Sequence, residues 1–212
     1  MRLTWTRLFA YLLVVATVLY GLWLAWPQLR PVTDPSLPRL STLISHTSEI
    51  PLRQRVLGYE REAFGSGWGS AGACTVREAA MLELFDDHQA PCTATGTATD
   101  PYTGLALEPD DVEIDHVIPL SAAWDLGAHR WDEATRVQFA NDPINLVATA
   151  AEENRAKSDQ LPSSWLPTDR HRRCWYSRRI AVVAVRYSLP LPADDIAAMR
   201  RQCRLSELLK IY

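Results

Sequence analysis

Asp115 and His116, followed by Asn145, Asn154 and Lys157, are the side chains of this sequence whose types and order could do chemistry together. A carboxylate and a carboxamide are oxygen donors suited to a hard divalent cation, and an imidazole with an ordinary pKa of about 6.5 can take a proton from water. A second carboxamide can hold a loop in place, and an ammonium can meet a phosphate. That set suits hydrolysis of a phosphodiester, where anionic charge must be neutralised, hydroxide generated and the leaving oxygen stabilised. Singly, each residue has a plainer reading. A strand histidine is ordinarily a hydrogen-bonded core residue, and Asn145 could open a strand after a proline turn. Asn154 could be a solvated helix residue, and Lys157 a cation favoured by a helix C-terminus. Order and spacing favour the set over its parts.

The elements that must position these residues are legible as patterns. Val112 to Leu120 is short, apolar and rich in β-branched residues, and it is closed by Pro119, which predicts a strand. Neighbours on a strand face opposite ways, so Asp115 and His116 can serve one site only if the strand twists or ends there. Asn145 to Ala148 predicts a second strand, entered through the turn Asn141-Asp142-Pro143. Thr149 and Glu152 have the spacing of a capping box, so a helix is expected from Ala150 to Lys157, with Asn154 and Lys157 on one face. Further helices are predicted at Arg53 to Phe64, Val76 to Asp86, Ser121 to Leu126, Trp131 to Phe139 and Asp194 to Arg204. Ala181 to Tyr187 fits a strand or a helix.

This arrangement resembles the HNH endonucleases, in the variant whose first motif is Asp-His and whose last is Asn-x-x-Lys. In that superfamily the middle Asn precedes the helical ligand by nine positions, as Asn145 precedes Asn154. The run Asn154 to Asp159 is also similar to the helix segment in the HNH domain of RNA-guided nucleases. A longer resemblance rests on Asp100-Pro101-Tyr102-Thr103-Gly104, Asp115 to Leu120, Ala123-Trp124, Phe139 to Pro143 and Trp165-Leu166-Pro167. These resemble the exported HNH family proteins, whose C-terminal nuclease domain is related to that of the GmrSD restriction enzymes. The likeness covers roughly residues 55 to 205.

The resemblance implies an α+β fold with a ββα-metal core at about 112–160 and flanking helices. It implies Asp115 and Asn154 as metal ligands, His116 as general base, Asn145 as orienter of the base loop and Lys157 as a phosphate contact. The all-oxygen donors point to Mg2+ or Mn2+, with Zn2+ admissible if a further histidine joins, and no organic cofactor is called for. One departure stands out. Between Trp68 and Cys74 the family carries acidic residues and an Asn-Gly, where this chain has Gly69-Ser70-Ala71-Gly72-Ala73.

The formal net charge of −3 is unusual for a protein that binds nucleic acid by releasing counterions. The charge is unevenly spread. Glu78 to Asp115 holds ten acidic residues and no Lys or Arg, whereas Asp169 to Tyr212 holds ten basic and four acidic ones. Arg170, Arg172, Arg173, Arg178 and Arg179 are therefore expected to form a basic wall beside the site, with DNA as the expected partner and contacts to backbone more than to bases. His46, His88, His129 and His171 lack ligand spacing, and Trp124, Trp131, Trp165 and Trp175 fit a core better than a stacking platform.

Leu8 to Trp26 is nineteen residues without a charge, preceded by Arg2 and Arg7 and ended by Pro27. This predicts a membrane anchor or signal segment over residues 1–26, with the remainder outside the cytoplasm or secreted. Pro27, Pro31, Pro35 and Pro38 make residues 27–48 an expected extended tether, leaving a single nuclease domain at 49–212. Four cysteines suit an oxidising space, and of the three pairings open to them Cys74 with Cys92 and Cys174 with Cys203 close local loops. The rival to an enzyme is a non-catalytic nucleic-acid-binding ectodomain in an envelope DNA-handling assembly, motivated by the Arg-rich half and the tether. The sequence names no protein partner.

Overall fold

The computed structural model describes residues 4–29 and 31–209, with the backbone alone at 22, 25–29 and 87–89. The elements run α1 (Trp5–Leu29), α2 (Leu40–Ser45), β1 (Glu49–Ile50), β2 (Ser70–Ala71), β3 (Cys74–Thr75), α3 (Val76–Leu84), β4 (Asp87–Ala90), β5 (Thr93–Thr95), β6 (Ala98–Thr99) and β7 (Ala106–Leu107). Then follow β8 (Val112–His116), α4 (Leu120–Leu126), α5 (Glu133–Asn141), β9 (Leu146–Ala150), α6 (Ala151–Lys157), α7 (Arg173–Arg186), β10 (Leu191–Pro192) and α8 (Ala193–Leu209). The fold is thus α+β, with small two-stranded sheets among helices.

Its centre is the antiparallel pair β8 and β9, in register from Val112 opposite Ala150 to His116 opposite Leu146. Alternation along β8 puts Val112, Ile114 and His116 on one face and Glu113 and Asp115 on the other. Val112, Ile114, Leu146 and Ala148 pack with Val76, Met81 and Phe85 of the α3 region in a smaller apolar cluster. The larger core gathers α2, α4, α7 and α8 around Tyr102, Ile118, Phe139, Tyr176 and Ile180, and Trp124, Trp131, Trp165 and Trp175 pack against it. α3 begins with a capping box between Thr75 and Glu78.

The cysteines pair as Cys74–Cys92 and Cys174–Cys203, with Cα atoms 5.4 and 4.7 Å apart. The second bond joins α7 to α8.

Several sequence expectations are corrected. The run Arg53 to Phe64 is not a helix. It is an extended strap ending in a 3-10 turn at Arg61–Phe64. Asp125 accounts for this, accepting from Arg53 Nε and from the Val56 amide, while Gly58 takes φ +82. The first core strand ends at His116, and Leu120 starts α4. Asn145 belongs to a 3-10 turn, and β9 runs on to Ala150. Thr149 does not cap α6, because it is still paired in the sheet and its buried hydroxyl donates to Asp100 Oδ1. Ala181 to Tyr187 is helical, within α7 and its C-cap.

From Val32 on, the expected tether is not a free extended segment. Leu37, Leu40, Leu43 and Ile44 are buried, and Val32 N–H donates to the His171 carbonyl. An i, i+3, i+4 apolar stripe folds this stretch onto α7 and α8 despite its prolines. The anchor expectation is not supported by the described residues. Among the described residues no helix is long and apolar enough to cross a membrane. Arg2 lies outside the described residues, as does the side chain of His88.

Candidate active site

β8 ends where its chemistry begins. Asp115 is 3% exposed, and both its oxygens have donors. Oδ2 accepts from the Tyr102 hydroxyl at 2.6 Å, and Oδ1 from Lys157 Nζ at 2.7 Å. Lys157 Nζ donates also to the His116 carbonyl at 2.7 Å. Burial pushes the Asp115 carboxyl up and the Lys157 ammonium down, and each charge opposes the shift of the other. Each carboxylate oxygen has more than one acceptor direction, so Asp115 can still ligate a cation.

Tyr102 reaches Asp115 from a turn organised by Asp100. That carboxylate accepts from the Tyr102 and Thr103 amides and from the Thr103 and Thr149 hydroxyls. Gly104 closes the turn at φ +73, with its N–H on the Asp100 carbonyl. A Cβ there would meet Asp169 Oδ2 at 2.9 Å, so the position requires glycine on two counts.

His116 Nε2 is 2.9 Å from the Ala140 carbonyl. A carbonyl can only accept, so Nε2 carries the proton and the lone pair is on Nδ1. Trp68 stacks on the imidazole with ring centroids 5.8 Å apart and planes 6° from parallel. Burial lowers the His116 pKa to about 4, keeping the ring neutral at pH 7.

Asn145 is fully buried and clamps the chain just after His116. Its Oδ1 accepts from Ile118 N–H at 2.9 Å, and its own carbonyl accepts from Val117 N–H at 2.8 Å. On α6, Asn154 Nδ2 donates to Glu113 Oε2 at 2.8 Å, leaving Oδ1 for another partner. Arg155 holds the second Glu113 oxygen at 2.7 Å. These two donors, Arg155 first, keep the Glu113 carboxyl below its usual range.

Asp115, His116 and Asn154 line one open cleft, with Tyr59, Arg61 and Ser121 on its other walls. A carboxylate beside a carboxamide oxygen is a donor set that fits a hard divalent cation and leaves room for water and phosphate oxygens. The other cluster of donor types among the described residues, Cys74, Glu78 and Cys92, offers no thiolate, since both cysteines are in a disulfide.

The structure therefore brings Asp115, His116 and Asn154 together, with Asn145 behind them. It does not bring Lys157 to the cleft; its side chain is 0% exposed. Of the expected arginine wall, Arg170 is exposed, and the other four are engaged within the fold. Arg178 is buried and donates to the Pro38 and Asp34 carbonyls, and Arg179 to those of Pro143, Ile144 and Leu146. Arg173 donates to the Pro167 carbonyl and Arg172 pairs with Asp169. These guanidiniums bind the fold's own backbone and loops. Sequence reasoning missed Tyr102, Glu113, Ala140 and Trp68. For Glu113 a signal existed, since it lies two residues before Asp115 on the same strand face.

Residues 81–183 match the family model of GmrSD restriction endonucleases, C-terminal domain. A relative described as "Uncharacterized secreted protein", from Arthroderma benhamiae, is 36% identical over 184 residues, covering 83% of this chain and 90% of that one. The chain belongs to the family of that secreted protein, and just under half of it is similar to the GmrSD C-terminal domain. No solved structure matches it.

Proposed function

We propose that the protein is an endonuclease of the HNH type, hydrolysing phosphodiester bonds in nucleic acid, DNA with little sequence preference, outside the cytoplasm. The observation that carries this reading is the shared cleft of Asp115, His116 and Asn154 at the junction of two antiparallel strands and a helix. The GmrSD-type domain supports nuclease activity, and the secreted relative and two disulfides support the location.

Asp115 and Asn154 Oδ1 would hold a divalent cation, Mg2+ or Mn2+. Such an ion supplies charge neutralisation at the phosphate and at the departing oxygen. His116 Nδ1 accepts the proton of the attacking water. The Ala140 carbonyl fixes the tautomer, Trp68 fixes the ring plane, and Asn145 holds the following loop. Lys157 acts through Asp115, anchoring its carboxylate, and the phosphate falls to another cation. The binding-only alternative drew on an arginine cluster of which all but Arg170 is occupied within the fold, so no observation favours it.

The test is cleavage of plasmid DNA, and of RNA in parallel, by the full chain with Mg2+ or Mn2+. His116→Ala and His116→Asn should both abolish cleavage while melting cooperatively. Full turnover in either variant would remove His116 as base.

A further inference from the structure

A phosphodiesterase cleft needs a cation besides its metal to hold the substrate's backbone; Lys157 and four of the five clustered arginines are occupied elsewhere, and Arg170 does not line the cleft. We infer that Arg61 takes this part, binding a phosphate of the nucleic-acid strand next to the bond being cut; the inference rests on the nuclease reading above.

Arg61 is the one Lys or Arg lining the cleft among the described residues. It also lines a smaller cavity with Trp68, His116 and Ala140. Its charge is felt at His116 and at Tyr59, placing the guanidinium in the electrostatic field of the site. It is exposed, and among the described residues it forms no ion pair. Asp159, which lines the cleft along with Asp115, is already paired with Arg53 and Arg55. A planar guanidinium suits two phosphate oxygens at once.

The backbone beneath Arg61 is fixed. Phe64, at the end of the same 3-10 turn, is 2% exposed, and the Ala63 carbonyl accepts from Arg136 Nε at 2.9 Å. Gly65 then ends the turn at φ +104.

The experiment measures steady-state cleavage of a labelled duplex by the full chain, its Arg61→Gln and Arg61→Lys variants and His116→Asn, across a series of NaCl concentrations. Arg61→Gln should lower kcat/KM roughly ten- to a hundredfold, mainly through KM, for loss of a charge-assisted contact. Its dependence of log kcat/KM on log salt should become shallower by about 0.7 to 0.9, the amount for one phosphate contact. Arg61→Lys should restore most of the salt slope. An Arg61→Gln enzyme with unchanged KM and salt slope, or with a fall confined to kcat, overturns the inference. Should the parent itself cleave neither DNA nor RNA with Mg2+ or Mn2+, the nuclease reading fails, and the Arg61 role with it. An inactive His116→Asn beside an unaffected Arg61→Gln sinks the Arg61 role alone.

Discussion

Lys157 and Asp115 form a buried ion pair, with Nζ 2.7 Å from Oδ1 and side chains 0% and 4% exposed. The lysine thereby ties the C-terminal turn of α6 to the end of β8, since it also donates to the His116 carbonyl. Removing one partner strands the other's charge in the core. Lys157→Met should therefore cost about 3–5 kcal/mol, whereas Lys157→Met with Asp115→Asn should cost less. Urea unfolding of the four members of the cycle checks this, and additive losses would deny the coupling.

His116 gives a pH dependence with a definite sign. Its folded pKa, lowered to about 4 by burial, lies below the unfolded value near 6.5, so the unfolded chain binds more protons in between. The stabilisation is fully present above pH 6.5 and is lost as pH falls toward 4. Melting in the presence of a chelator should show an acid loss over this window that His116→Asn lacks. Asp115, whose carboxyl is raised by burial, contributes in the opposite sense, so the difference between parent and variant is the quantity to follow.

Tyr102→Phe deletes a single hydroxyl and leaves Asp115 Oδ2 without its donor at 2.6 Å. The loss should be about 1–3 kcal/mol, the cost of an unsatisfied buried acceptor. Because Tyr102 acts through the carboxylate, cleavage by the variant should also shift to a different Mn2+ concentration for half-maximal rate. A stability loss with an unmoved metal profile would make Tyr102 purely structural.

The Cys174–Cys203 bond spans 29 residues and ties α7 to α8 inside the larger core. Replacing both cysteines by alanine should cost about 2–5 kcal/mol and lower the melting temperature. Calorimetry of oxidised, reduced and substituted protein would show whether the bond matters as much as expected.

The strand, strand and helix at the centre were legible because their chemical residues mark them: Asp115 and His116 sit before a proline, and Asn154 lies on a helix-forming run. What failed has a common physical cause. Thr149, Lys157, Arg178 and Arg179 are polar groups whose nearest partners come from distant parts of the chain, so local spacing says nothing about where they point. Thr149 looked like a cap and holds Asp100, and Arg179 looked like a phosphate contact and holds the turn before β9. The strap from Arg53 to Arg61 failed for the same reason, since Asp125 decides its path.

The burial of Leu37, Leu40, Leu43 and Ile44 decides how the protein can be cut down for study. Trimming at residue 48, where composition suggests a boundary, would strip a helix from the larger core and expose the apolar flank of α7 and α8. A shortened version that keeps its solubility should begin ahead of Val32, whose amide already docks on His171.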